Sequence, residues 1–183
     1  MQRLIEAAVR CIQKYGVDKT YIVDIAKEAG LSRSTAYRIC RSRQEILERV
    51  AQSRISAMEI TLREKIRKYK TLGDALVHGT VDTVRLARQD LVFMSTLQAT
   101  GYQGFERVLL DPRSHVIEQL HNVWGDLIAT ARSKGEIRQP LSDSDVFEFM
   151  RAMQFILISK EDMTEKKQSE FLRKFMVPAL SAR

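Results

Sequence analysis

From Leu47 to Tyr69, apolar residues return at steps of 4, 4, 3, 4, 4 and 3: Leu47, Ala51, Ile55, Met58, Leu62, Ile66 and Tyr69. A period of 3.6 residues brings these positions to one face of a helix, which at about 1.5 Å per residue runs roughly 40 Å. The same threes and fours recur almost throughout the chain. Strand signals are nearly absent, and three prolines cannot punctuate many turns. The expected fold is all-α.

Local signals divide the chain into helices. Leu4, Ala8, Cys11, Ile12 and Tyr15 mark one face of a first helix, ended by Gly16. Thr20 is read as the cap of a second, whose inward face is Ile22, Ile25, Ala26 and Ala29. Gly30 then supplies a left-handed residue, and Ser32 caps a third helix from Arg33 to about Cys40. That is a helix, a tight turn and another helix. The long fourth helix follows Arg43. Thr71 to Asp74 resembles a capping box opening a fifth helix to about Arg88, and a sixth over residues 91–100 is broken by the Gly101 to Gly104 region. Asp111 and Pro112 stand as cap and first-turn proline before a seventh over 113–134, closed by Gly135. Ser142 to Asp145 opens a helix over 146–159, and Thr164 opens the last, to about Pro178. The composition shifts along the fourth helix, so the expected division is a small basic head at residues 1–46 and a larger helical body at 47–183.

The head carries the charge. Thirty Lys and Arg against 23 Asp and Glu give a net +7, and ten basic and six acidic side chains lie within residues 1–50. That surplus leans toward an anionic partner. Cys11 and Cys40 are no disulfide framework for 183 residues; their approach in the head could make a redox switch, against the plainer reading of two buried thiols. The first residues lack the apolar core of a signal peptide, and no run approaches the roughly 18 apolar residues of a membrane span, so a cytoplasmic protein without membrane contact is expected. Catalytic chemistry finds little support. There is no Gly-rich phosphate loop, nucleophile elbow or Cys pair at zinc spacing. His115 and His121, six apart, fall roughly 240° round one helix, while His78 and Asp82 share a face but lack a third ligand. No enzyme, metal or cofactor is expected.

Ala7 and Ala8, Gly16, Thr20, Asp24-Ile25-Ala26, Ala29-Gly30, Ser32, Thr35, Tyr37 and Leu47 together resemble the DNA-binding head of the TetR family of bacterial one-component repressors. Gly135-Glu-Ile-Arg138 and the segment from Phe171 to Leu180 are similar to that family's closing segments. Cys40 and Ile12 stand where the family tends to have aromatic residues, and Arg43 where it has Lys. A helix-turn-helix lays its second helix in the major groove, so short donors and long cations belong at that helix's start. The resemblance implies that Thr20, Tyr21, Tyr37 and Arg43 position the head on phosphates, that Thr35 and Ser34 approach the backbone closely, and that Arg33, Ser34 and Arg38 touch bases.

In the body, residues 146–158 are apolar around most of the helix, with only Glu148, Arg151 and Gln154 polar. Such a helix is buried on two sides. The resemblance implies that this helix and the last one form a homodimer interface, through Phe147, Met150, Met153, Leu157, Leu172, Phe175 and Met176. Two heads about 34 to 36 Å apart would meet a pseudo-palindromic operator on double-stranded DNA. The family also holds a small-molecule effector in the body. Met94, Leu97, Gln98, Tyr102, Phe105, Val116, Leu120, Trp124 and Phe149 are the expected wall, largely apolar, with the three histidines as further polar contacts. The function implied is a ligand-relieved repressor with the fourth helix as lever; a ligand-independent architectural DNA binder, or a small-molecule binder without an operator, are the alternatives.

Overall fold

The computed structural model describes residues 1–111, 114, 116–160 and 162–182. Among these residues the chain forms nine helices and no strand, with one isolated bridge between Ile137 and Ser181. They are α1 (Gln2–Tyr15), α2 (Ile22–Glu28), α3 (Arg33–Ile39) and α4 (Arg43–Ile66). Next, α5 runs as Leu72–Asp74, a wider π turn at Ala75–Gly79, and Thr80–Gln89. Then come α6 (Leu91–Leu109), α7 (Val116–Ser133) and α8 (Asp143–Ser159). The last, α9, is Glu165–Phe171, a second π turn at Leu172–Met176, and Val177–Leu180. The all-α class is as the spacing predicts. Pro112, Arg113 and His115 lie outside the described residues, and so does the proline start read for the seventh helix.

Packing groups the chain into two units, Met1–Ala57 with Gln89–Asp111, and Met58–Arg88 with Pro112–Arg183. This differs from a boundary after residue 46. Val92 of α6 joins the apolar cluster of Leu4, Ile25, Leu47 and Val50, so α6 packs with the three short helices. Polar bonds fasten it further: Gln44 Nε2 donates to Thr100 O at 3.2 Å, and Arg107 meets Glu48 at 2.7 Å.

In the first unit Leu4, Ala8, Cys11 and Ile12 are buried as the spacing predicts, joined by Ile22, Ile25, Ala26 and Ala29. Tyr15 is half exposed; it ends α1 and carries the Lys14 ammonium 5.1 Å from its ring centre. Thr20 does not cap α2. Tyr21 occupies the cap position without a side-chain bond, and the Thr20 hydroxyl turns back to donate to Gly16 O at 2.7 Å. The sixth helix does not end near residue 100. Gly101 kinks it at φ +66°, ψ −178°, a conformation open to glycine, and the helix resumes to Leu109.

In the second unit Leu76, Trp124, Ile128, Met150, Leu157 and Leu172 are all less than 2% exposed. Three caps predicted by sequence form: Thr71 Oγ1 accepts from Asp74 N at 3.1 Å, Ser142 Oγ from Asp145 N at 3.2 Å, and Thr164 Oγ1 from Lys167 N at 3.4 Å. At Ser142 the box is complete, because Asp145 Oδ2 accepts from Ser142 N at 2.7 Å. The Ser142 hydroxyl and N–H hold the Asp145 carboxyl below the usual range. The stabilisation this gives is present above the ordinary carboxylate range and fades as pH falls through the lowered pKa.

Arg88 fastens the other end of α8, its guanidinium donating to Leu157 O at 2.8 Å, Met163 O at 3.2 Å and Lys160 O. The two π turns pack against each other, and the Thr80 hydroxyl lies 3.9 Å from the Met176 sulfur. Tyr69, beyond the end of α4, donates to the buried Asp82 carboxylate at 2.8 Å and stacks on His78, whose Nε2 lies 2.9 Å from Arg173.

Candidate nucleic-acid interface

The turn from α2 to α3 is closed by two backbone bonds. Leu31 N donates to Ala26 O at 2.8 Å and Gly30 N to Lys27 O at 3.0 Å, with Gly30 at φ +63°. These are the two bonds of a Schellman ending, which needs a left-handed residue at that place. A Cβ on Gly30 would lie 3.0 Å from the tip of the Arg3 side chain, which can move aside, so the backbone conformation carries the penalty. Gly30→Ala is expected to lower stability by about 1–2 kcal/mol in urea unfolding; an unchanged midpoint would show the turn tolerates a side chain.

Immediately after, Ser32 Oγ accepts from Thr35 N at 3.1 Å and lies 3.0 Å from Ser34 Oγ and 2.9 Å from Thr35 Oγ1. This cap starts α3 and gathers three hydroxyls at its N-terminal end. Ala36 is buried, while Arg33, Ser34, Tyr37 and Arg38 are exposed. The Arg33 guanidinium lies 5.5 Å from the Tyr37 ring centre, which favours one placement of that cation. There is no acidic residue in the first turn of α3. Tyr21 is 60% exposed and Thr35 half-buried.

Two expected phosphate contacts are corrected. Thr20 is 1% exposed with its hydroxyl committed to Gly16. Arg43 is half-buried and braces the head from within: Nε donates to Thr20 O at 3.1 Å and Nη2 to Val17 O at 2.6 Å. It ties the start of α4 to the α1–α2 loop. Arg41, exposed between α3 and α4, is a cation that the resemblance did not single out. Its backbone N–H donates to Glu45 Oε2 at 2.9 Å, and this bond, with the Arg49 guanidinium, holds the Glu45 carboxyl below its ordinary range. Both cysteines are buried free thiols pushed up by desolvation, the inert condition rather than the reactive one.

The residues expected to line a ligand pocket divide between the two units. In the first, Leu97 is buried and Met94 and Phe105 half-buried, but Gln98 is exposed and Tyr102 is 70% exposed, so these two are not enclosed. In the second, Val116 and Leu120 are buried and Phe149 half-buried. Trp124 is 1% exposed and packs with Ile66 around Gly79, so it fills core instead of lining a cavity. An open cleft of about 220 Å³ lies in the second unit, between the end of α4, the turn into α5 and the last turns of α7. None of the nine expected residues lines it.

The expected dimer residues need a similar correction. Phe147, Met150, Leu157, Leu172 and Met176 are buried within their own unit; Phe147 packs on His121 with ring centres 4.2 Å apart. The apolar stripe that reaches the surface of α8 is Phe149, Ala152, Met153 and Ile156, all half-buried at helical spacing. On α9 it is Phe171 and Phe175, rings 4.9 Å apart, with Phe175 49% exposed. Among the described residues no three metal-ligating side chains gather, and no helix is long and apolar enough to cross a membrane.

A short helix, a left-handed glycine turn and a capped helix with outward arginines define a helix-turn-helix protein. Residues 4–50 match the family model described as bacterial regulatory proteins, tetR family. An uncharacterised HTH-type transcriptional regulator of Mycobacterium bovis is 32% identical over 100 residues, 53% of this chain and 49% of that one. The chain thus spans about half the length of the curated relatives it matches. A TetR family transcription regulator of Marinobacter aquaeolei shares the fold with TM-score 0.60 at 17% identity, over 100% of this chain and 95% of that one. RolR in complex with resorcinol shares it with TM-score 0.64 at 18% identity, over 98% and 86%. Residues 4–50 are thus similar to the DNA-binding head of the tetR family, and the curated relatives that match are HTH-type transcriptional regulators.

Proposed function

We propose that this protein is a transcriptional repressor that binds a pseudo-palindromic operator as a homodimer and is released by a small, largely hydrophobic effector. The observation that carries the DNA reading is the outer face of α3. Arg33, Ser34, Tyr37 and Arg38 are exposed together behind a fully bonded turn, on a head with a basic surplus. In this reading Arg33, Ser34 and Arg38 meet base edges, while Tyr21, Tyr37 and the hydroxyl of Thr35 meet phosphates. The Arg43 brace sets the presentation of the head instead of competing for a phosphate, and α4, continuous from Arg43 to Ile66, serves as lever.

Selection from random duplex DNA at two salt concentrations tests this. A palindromic site with two half-sites about 34 to 36 Å apart, and affinity falling steeply with salt, is the expected result. Weak binding without sequence preference would overturn it. The dimer is carried by the half-buried stripe on α8 and the exposed Phe175 on α9. Met153→Arg places a charge in that stripe, and the variant is expected to run as a monomer in sedimentation while remaining folded. A variant that stays dimeric would move the interface elsewhere. The effector is supported by fold likeness to RolR, which was crystallised with resorcinol; a melting temperature unmoved by any member of a broad small-molecule library would sink it.

A further inference from the structure

We propose that the open cleft at the end of α4 is a binding site for a small carboxylate with an apolar ring or short chain. Its floor is apolar: Ile66, Leu72, Leu127 and Ala131 line it. Its rim carries Arg67, Lys70 and Lys134. Arg67 has an acid at 4.0 Å, in Asp126, whereas Lys70 and Lys134 are exposed and hold no ion pair within the described residues. Glu136 also lines the cleft and opposes an anion, so the rim balance is three cations against two acids. Cations beside helix ends are common for reasons of their own. What singles out this place is that they surround an apolar hollow instead of a flat surface.

The volume sets the size of the occupant. At about 220 Å³ the cleft lies below the usual 300–1,000 Å³ of drug-sized sites, which fits a single ring or a short chain. A bare inorganic anion would leave the floor uncovered, and a neutral apolar molecule would leave the lysines unused. The wall also connects inward. Tyr69 lines the cleft, and its hydroxyl bonds Asp82 of α5, while its ring stacks on His78 against Arg173 of α9. Occupancy would therefore bear on how α5 and α9 are held, independently of whether the head binds an operator.

The chain's single tryptophan gives the readout. Trp124 and the floor residue Ile66 both pack on Gly79, so filling the cleft should alter Trp124 emission. The probes are benzoate and 4-phenylbutyrate, each against its neutral amide, with inorganic phosphate as a further arm, titrated into the free protein. The carboxylates should bind and the amides bind at least fivefold more weakly. Lys70→Gln and Lys134→Gln should each weaken carboxylate binding about twofold to fivefold, and Glu136→Gln should tighten it. Lys68→Gln, outside the cleft, should change nothing, and unliganded melting temperatures should match throughout. Amides binding as well as acids, phosphate binding as well as either acid, equal losses with Lys68→Gln, or no binding at all would each overturn the proposal. DNA affinity does not enter the measurement, so failure of the repressor reading and failure of this one are separate results.

Discussion

Replacing Arg33 and Arg38 together by alanine should lower affinity for the selected operator at least a hundredfold without shifting the melting temperature appreciably. In the proposed reading each of the two arginines meets a base edge at a separate base, and such a contact contributes about 1–3 kcal/mol. Both side chains are exposed on the outer face of α3, so the fold loses little: for Arg33 about 0.5–1 kcal/mol from its place over the Tyr37 ring. Tyr37→Phe makes the useful contrast. It removes a hydroxyl proposed to meet a phosphate, so the loss should be smaller and much the same on every sequence. A double variant that binds its operator as tightly as the parent would take α3 out of the groove.

The second large effect is on stability. Trp124→Ala should cost about 3–5 kcal/mol in urea unfolding followed by circular dichroism, because a fully buried aromatic side chain leaves a void that its neighbours close only in part. The void would open beside Ile66 and Gly79, where the indole packs. The reciprocal change, a bulkier residue at Gly79, should also destabilise, since any Cβ there collides with both neighbours. If Trp124→Ala left stability near the parent value, the side chain would be a wall with room beside it, as the sequence reading has it, and not core.

The head was legible in the sequence because its signals are local. Gly30 and Ser32 each act within a few residues, and the structure shows the left-handed glycine and the Ser32 cap where the pattern puts them. Side-chain direction was less legible. A threonine ahead of a helix reads as a cap, yet Thr20 bonds backward to Gly16, and nothing within its own turn says so. Arg43 reads as a cation for phosphate, but the two carbonyls that hold it come from residues 17 and 20, far away in sequence. In the body the apolar pattern of α8 did not show which side turns inward. Phe147, Met150 and Leu157 went to the core, leaving Phe149, Met153 and Ile156 nearer the surface. The cleft had no signature at all, since its lining comes from two stretches of chain far apart in sequence, 66–72 and 126–136.

The two π turns that pack together have a consequence for how this chain tolerates insertion and deletion. A π turn holds about one residue more than the α turn it replaces, so everything beyond it is rotated by about 100° relative to an unbroken α-helix. In α5 that offset brings Asp82 to Tyr69 and Arg88 to the end of α8; in α9 it follows Gln168 and precedes Leu180. Removing one residue from either turn would restore regular α geometry locally and swing its downstream side chains away from those partners. Length, at these two places, therefore constrains the packing in the way that side-chain volume does elsewhere: deleting one residue within 75–79 or 172–176 is expected to cost stability.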